Sequence, residues 1–407
     1  MSTRLKVTIL ASSLAILLFT IAGNFVNVRA SSNDGAYRQL GVYSEVLSRI
    51  RTEYVEEPNF PAVTSGALHG LLESLDADSS YLNPEEYKFY KTHHDDGNAN
   101  IGATISKRFG YAAVVSVIPS GPADKAGVQP GDIIEALEGK STHEMSLASI
   151  EEELAGKQGS TIDFSIVRPG KAEPQRITVT RDNIVIPTTT DKMVEEGIAE
   201  IVPVALTKGK AQEIATRIKD EQKKGAKKLI LDLRNVADGD PAEAIAVANL
   251  FLNHGVITYL QGQKYPRQTF TADPQKAITT LPLVVLVNRG TAGSGEIVAA
   301  AILDNNRGDV VGDKTFGSGA VQKVIDIPDG SALILSVAKY YTPSGKVIED
   351  PDPQHSGVTP NILVASSNDD LLPDDEDGTA PAPEEKPKQP KDDEQLRRAV
   401  EVLKARG

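Results

Sequence analysis

The chain of 407 residues contains no cysteine, so neither a disulfide framework nor a lipid-bearing cysteine is available to it. It also lacks basic charge: the formal net charge is −13. That balance argues against nucleic acid as a partner, because such a partner calls for a basic patch. Histidine is sparse, six in all. His93 and His94 are adjacent, and His69, His143, His254 and His355 are isolated. Neighbouring imidazoles on one segment do not converge on one ion, and no third ligand has suitable spacing. Neither a metal nor any other cofactor is expected. The one long apolar run, Val7 to Gly23, follows Arg4 and Lys6 and precedes Val28-Arg29-Ala30, which is the layout of a secretory signal. The run is at the low end of a spanning helix, so an uncleaved anchor is the alternative to cleavage. The positive flank keeps the N-terminus in the cytoplasm in both cases. The body of the chain is expected in the periplasm, free or tethered to the inner membrane.

What is present is periodic. Val42, Val46, Ile50 and Tyr54 recur every four residues, and Leu68, Leu71, Leu72 and Leu75 share one face of a second helix, so the spacing predicts helices across 37–75. Pro84 is placed to open another helix. Beyond Ile184, strands and helices alternate: strands at 198–206, 228–233, 257–260 and 282–287, helices at 210–223, 241–251 and 296–305. Such alternation predicts an α/β layered core. From Ala365 to Lys391 eight acidic residues face three lysines amid Pro, Gly and Ser, the composition of a solvated linker. An amphipathic helix is expected after Asp392, with Leu396, Ala399, Val400 and Leu403 on one face and Asp392, Asp393 and Glu394 at its N-terminus.

Two segments then carry chemistry. Residues 288–297 read NRGTAGSGEI and residues 315–322 read TFGSGAVQ. Together with DADSSYLNPEEY at 76–87, YYTPSG at 340–345 and GVTPN at 357–361, they resemble the carboxyl-terminal processing (tail-specific) serine peptidases, family S41. In that family the nucleophile loop reads close to NxGSASASEI and a general-base lysine follows Phe-Gly in TFGKGxVQ. Asn288, Gly290 and Glu296-Ile297 fix the first register, and Thr315-Phe316-Gly317, Gly319 and Val321-Gln322 the second. The family's serine then falls on Gly293 and its lysine on Ser318, while its glutamine is retained as Gln322. A Ser–Lys dyad needs a hydroxyl and a desolvated amine, and losing a member of such a unit costs several powers of ten in rate. Ser294, one residue along, is the possible surrogate nucleophile. The stretch DLRNVADG at 232–239 resembles the family's DLRxNPGG, whose backbone amides face the oxyanion. Here Asp238 replaces the first glycine of the pair and Gly239 keeps the second. A carboxylate there repels the developing charge, unless Asp238 simply points to solvent.

The segment 114–134, VVSVIPSGPADKAGVQPGDII, resembles the PDZ domain found in these peptidases. A PDZ domain adds an extended peptide to a sheet edge. The resemblance places the terminal carboxylate near Asn100, Ile101, Gly102 and Ala103. Ile101, Ala103 and Ile105 would alternate between core and groove, and a helix carrying Leu147 and Ile150 would form the opposite wall. The expected organisation is a leader or anchor at 1–30, a helical region at 31–97, a PDZ domain at 98–183, an S41 (ClpP/crotonase-like) α/β core at 184–365, an acidic linker at 366–391 and a terminal helix at 392–407. The expected function is an exported, non-cleaving homologue that binds protein C-termini or unfolded segments, as an adaptor or as the partner of an active homologue or of itself. The alternative is an active serine endopeptidase that uses Ser294.

Overall fold

The computed structural model describes residues 34–93, 99–108, 110–168, 171, 173–365 and 393–406. The apolar run near the start, the acidic stretch and His94 lie outside them. The chain divides at Thr64 into two compact units. In the first, α1 (Asp34–Glu53) is held along its exposed face by Arg49, which bridges Glu45 and Glu53 four residues to either side. Helix α2 (Phe60–Glu73) starts in this unit and ends in the next.

After α2 comes β1 (Ser80–Leu82), and Pro84 then opens α3 (Pro84–His93). Asn83 Oδ1 accepts the amides of Glu85 and Glu86, while Glu86 returns a bond to the Asn83 amide, a reciprocal cap that satisfies otherwise orphaned donors. Next is an antiparallel sheet: β2 (Ala103–Arg108), β3 (Tyr111–Val117), β4 (Ile133–Leu137), β5 (Lys140–Ser141), β6 (Thr161–Val167) and β7 (Gln175–Thr180). The order is β2-β3-β4-β6-β7, with β5 added to β4, so β2 is an edge strand. Two short helices, α4 (Pro122–Lys125) and α5 (Leu147–Leu154), close it over Ile134, Ile162, Phe164 and Ile166.

The remainder is a six-stranded sheet and a smaller companion. In chain order the elements are β8 (Thr190–Glu195), β9 (Ile198–Val202), α6 (Lys210–Lys223), β10 (Lys228–Asp232), α7 (Pro241–Phe251), β11 (Val256–Gln261), β12 (Gln268–Thr271), β13 (Leu283–Val287), α8 (Ser294–Asp304), β14 (Asp309–Gly312), β15 (Ala320–Asp326), β16 (Ala332–Tyr341), β17 (Ile362–Leu363) and α9 (Glu394–Ala405). The large sheet runs β17-β14-β13-β10-β9-β8, parallel except for the β8 edge. The central β13 is apolar at every position, and β10 at its three middle ones, because both faces are covered. Leu229, Leu231, Leu283 and Val285 pack under α6, α7 and α8, whereas Ile230, Val284 and Leu286 meet Ala399, Val400 and Leu403 of α9. The companion sheet runs β1-β16-β11-β12, with β15 also on β16.

Two expectations need correction. The strand expected to run to Leu206 stops at Val202, where Pro203 has no amide to donate to a ladder. Strand β15, which carries Gln322, and the four-residue β14 were not anticipated; such short or polar runs carry little period-two signal.

Candidate active site

The site lies beyond the carboxyl ends of β10 and β13, where crossover helices begin and open α/β sheets present their crevices. The loops after these two strands are stitched together. Thr291 Oγ1 donates to Leu233 O (2.8 Å), the Ala292 amide to Val236 O (3.0 Å), and Asn288 exchanges two bonds with Asn235. Asn235 holds a positive φ of 59°, a conformation asparagine tolerates better than most residues.

Gly293 caps α8 with φ 52° and ψ −107°, a conformation that strains any residue carrying a β-carbon. A β-carbon placed there would meet only Ala237 O, at 3.9 Å. Position 293 therefore faces open space. Ser294 does not. It is 3% exposed, its hydroxyl has no hydrogen-bond partner, and a β-carbon on Gly239 would stand 2.4 Å from its Oγ. Its side chain packs against the Gly239 backbone, inside the protein.

Glu296 ties the two motif segments into one piece. Its carboxylate is fully buried and accepts the amides of Gly293 (2.9 Å), Gly317 (2.8 Å) and Ser318 (2.8 Å) and the hydroxyl of Thr315. Burial pushes its carboxyl up to about 7 against the pull of these four donors. The residue appears in the sequence only as part of the motif, and its role is visible only once the two loops meet.

A cavity of about 920 Å³ joins this centre to the edge of β2. Ser318, Gln322, Asp238 and Ala292 line it on the core side, and Asn100, Gly102, Ala103, Ile105 and Leu147 on the other. Two residues expected at the groove are elsewhere: Ile101 and Ile150 are fully buried in the core under the β2–β7 sheet. The groove side of α5 carries Leu147, Ala148, Glu151, Glu152 and Leu154, followed by Ala155, whereas Ile150 points into the core. The Gly102 amide, expected to hold a peptide carboxylate, donates to Asn100 Oδ1 (2.9 Å). Asp238 lines the cavity rather than turning to solvent; burial raises its carboxyl, and the Gly239 amide offsets part of that by donating to it.

Asp78, Glu151 and Ile184 also line the cavity, as does Phe316 of the second motif segment; the first three were not singled out in the sequence as site residues. Asp78 lies in the DADSS turn before β1 and Ile184 in the connection after β7, so both are far along the chain from residues 288–322. No group of three or more metal-ligating side chains occurs among the described residues. None of the described helices is long and apolar enough to cross a membrane.

Residues 197–364 match the model of peptidase family S41, and residues 114–168 that of the PDZ domain. The chain is 32% identical over 362 residues to the carboxy-terminal-processing protease of Bartonella bacilliformis, covering 86% of this chain and 82% of that one. It is 30% identical over 359 residues to the carboxy-terminal processing protease CtpA of Bacillus subtilis, covering 87% and 74%. Among solved structures, the photosystem II D1 C-terminal processing protease superposes with a TM-score of 0.65 at 25% identity, over 79% of this chain and 86% of that chain. With its layered α/β core, its PDZ domain and a groove between them, the chain belongs to peptidase family S41, among the carboxy-terminal-processing proteases.

Proposed function

We propose that the protein takes an extended polypeptide with a free C-terminus into the groove between β2 and α5, leads it past the α8 N-terminus, and holds it there without cutting. The observation that carries this reading is at position 293. Position 293 of the nucleophile loop, which has open space before it, is a glycine, and the neighbouring hydroxyl of Ser294 is buried away from the groove. Ser318, in the place of the family's lysine, offers no amine, and Asp238 sets a carboxylate beside the oxyanion loop. In this reading residues 98–183 read the peptide terminus and residues 184–365 supply the floor. Residues 1–30 export or tether the chain to the periplasmic side of a membrane.

A second reading is a working endopeptidase that uses Ser294. The relatives favour it: they are proteases by name and align over most of their length, and they fit cleavage better than they fit an adaptor. The chain's own residues favour holding, because Ser294 would have to leave its packing against Gly239 to reach a substrate and catalysis tolerates little misplacement. Incubation with an unfolded protein separates the two. Under the holding reading, neither the native chain nor Ser294→Ala releases fragments, and a Gly293→Ser, Ser318→Lys double variant gains cleavage. Fragments from the native chain that vanish with Ser294→Ala would establish the peptidase instead.

A further inference from the structure

The groove is charged in one sense only. Among the described residues its lining includes Asp78, Glu151, Glu152 and Asp238 and no lysine, arginine or histidine. Three cations on the strands that border it, β2 and β16, have partners of their own. Lys107 is turned to Glu73 and to Met145 O, Lys339 is bound to Glu349 at 3.0 Å, and Arg108 lies over the Phe316 ring, 5.1 Å from its centroid. Glu151, on the groove face of α5, makes no hydrogen bond or ion pair among the described residues, and the charge that weighs on it is that of Glu152. Asp78, on the opposite side, faces Glu349, Asp76 and Glu151. Burial and these like charges hold the Asp78 carboxyl well above the ordinary range, at about 7, and the Glu152 charge works in the same direction on Glu151. The charge of Glu151 weighs on Asp78, and Lys339 nearby is bound to Glu349 rather than to either of them, so a cation that the ligand brings would relieve the pair. Beside them runs the free edge of β2, the element that accepts an extended peptide.

We propose that the groove selects polypeptides bearing a lysine or arginine a few residues before a free C-terminus, with Glu151 and Asp78 receiving that side chain. The inference rests on the peptide-holding reading above and names its ligand class. It is independent of whether the peptide is cut, since neither residue belongs to the Gly293–Ser318 centre.

The test is fluorescence polarisation on the full chain. The probes are labelled peptides that share one apolar C-terminal residue and differ only in a lysine, alanine or glutamate upstream. The lysine peptide is expected to bind about fivefold or more tightly than the alanine peptide, with the glutamate peptide weakest and the differences shrinking in high salt. Glu151→Gln, and separately Asp78→Asn, should narrow the lysine-to-alanine ratio. Glu151 is exposed enough that its substitution leaves folding intact. Equal affinity for the three peptides, or a ratio that neither variant changes, overturns the charge selection while the groove stands. Failure of all three to bind overturns the peptide-holding reading, and the selection with it.

Discussion

Gly239 has no room for a side chain: a β-carbon there would meet Ser294 Oγ at 2.4 Å and Leu206 O at 2.9 Å. Gly239→Ala is expected to destabilise the protein by about 1–3 kcal/mol, the usual cost of overpacking, measured as a lower urea midpoint. Trimming Ser294 to glycine in the same chain should recover only part of the loss, because the Leu206 backbone remains. Glu296 is the other residue on which the site depends. A glutamine keeps its shape but turns an amide toward donors that now meet a carboxylate, so Glu296→Gln is expected to cost about 2–3 kcal/mol in the same assay. At this scale the motif was legible as letters in a fixed order, including the glycine in the serine's place. Which way each letter points was not. The burial of Ser294 and the double attachment of Glu296 follow from two loops some twenty residues apart meeting at one helix N-terminus.

The helices and strands of the core were legible because their periodicity is strong. The helices at Lys210–Lys223 and Pro241–Phe251 were read to the residue, since each begins at a clear stop: Gly209 at φ 94° for the first, and the Asp240 cap with Pro241 for the second. Helix α9 was legible from its apolar face, but what it covers was not. In the fold it is the layer over Ile230, Val284 and Leu286, with Asp393 capping it and also pairing with Arg234 of the loop after β10 (2.9 Å). Leu403→Ala is therefore expected to cost about 2–4 kcal/mol as a buried cavity, read by denaturant unfolding. Relative peptide affinities should be unchanged, since α9 lies on the sheet face away from the groove helices. On α5 the sequence placed a groove wall correctly at Leu147 and incorrectly at Ile150. Both are apolar, and only the packed sheet beneath distinguishes the inward face from the exposed one.

At the scale of the molecule, the raised carboxyls set the response to pH. Asp78 and Glu296 each stand at about 7 against an ordinary value near 4, and His69 is raised beside Glu86. A group whose pKa is higher folded than unfolded binds protons more tightly in the native state. Its contribution is full below the unfolded value and is lost as pH rises through the folded one. The melting temperature is thus expected to fall between pH 5 and pH 8, and Asp78→Asn should flatten that fall by about 2–4 °C, followed by circular dichroism. A melting temperature that rises over this range would contradict the assignment. The acidic balance of the whole chain was plain in its composition, but its concentration along one groove was not. Asp78, Glu151 and Asp238 are spread over 161 positions and meet only where the β2–β7 sheet closes on the core. By itself the sequence determined the family, the α/β layering and that position 293 is a glycine and position 318 a serine, because these are matters of residue type and local period. The tertiary structure alone decided that Ser294 is turned inward, that Glu296 joins the two motif loops, and that the groove carries one sign of charge. Those are properties of distance in space, which spacing along a chain does not encode.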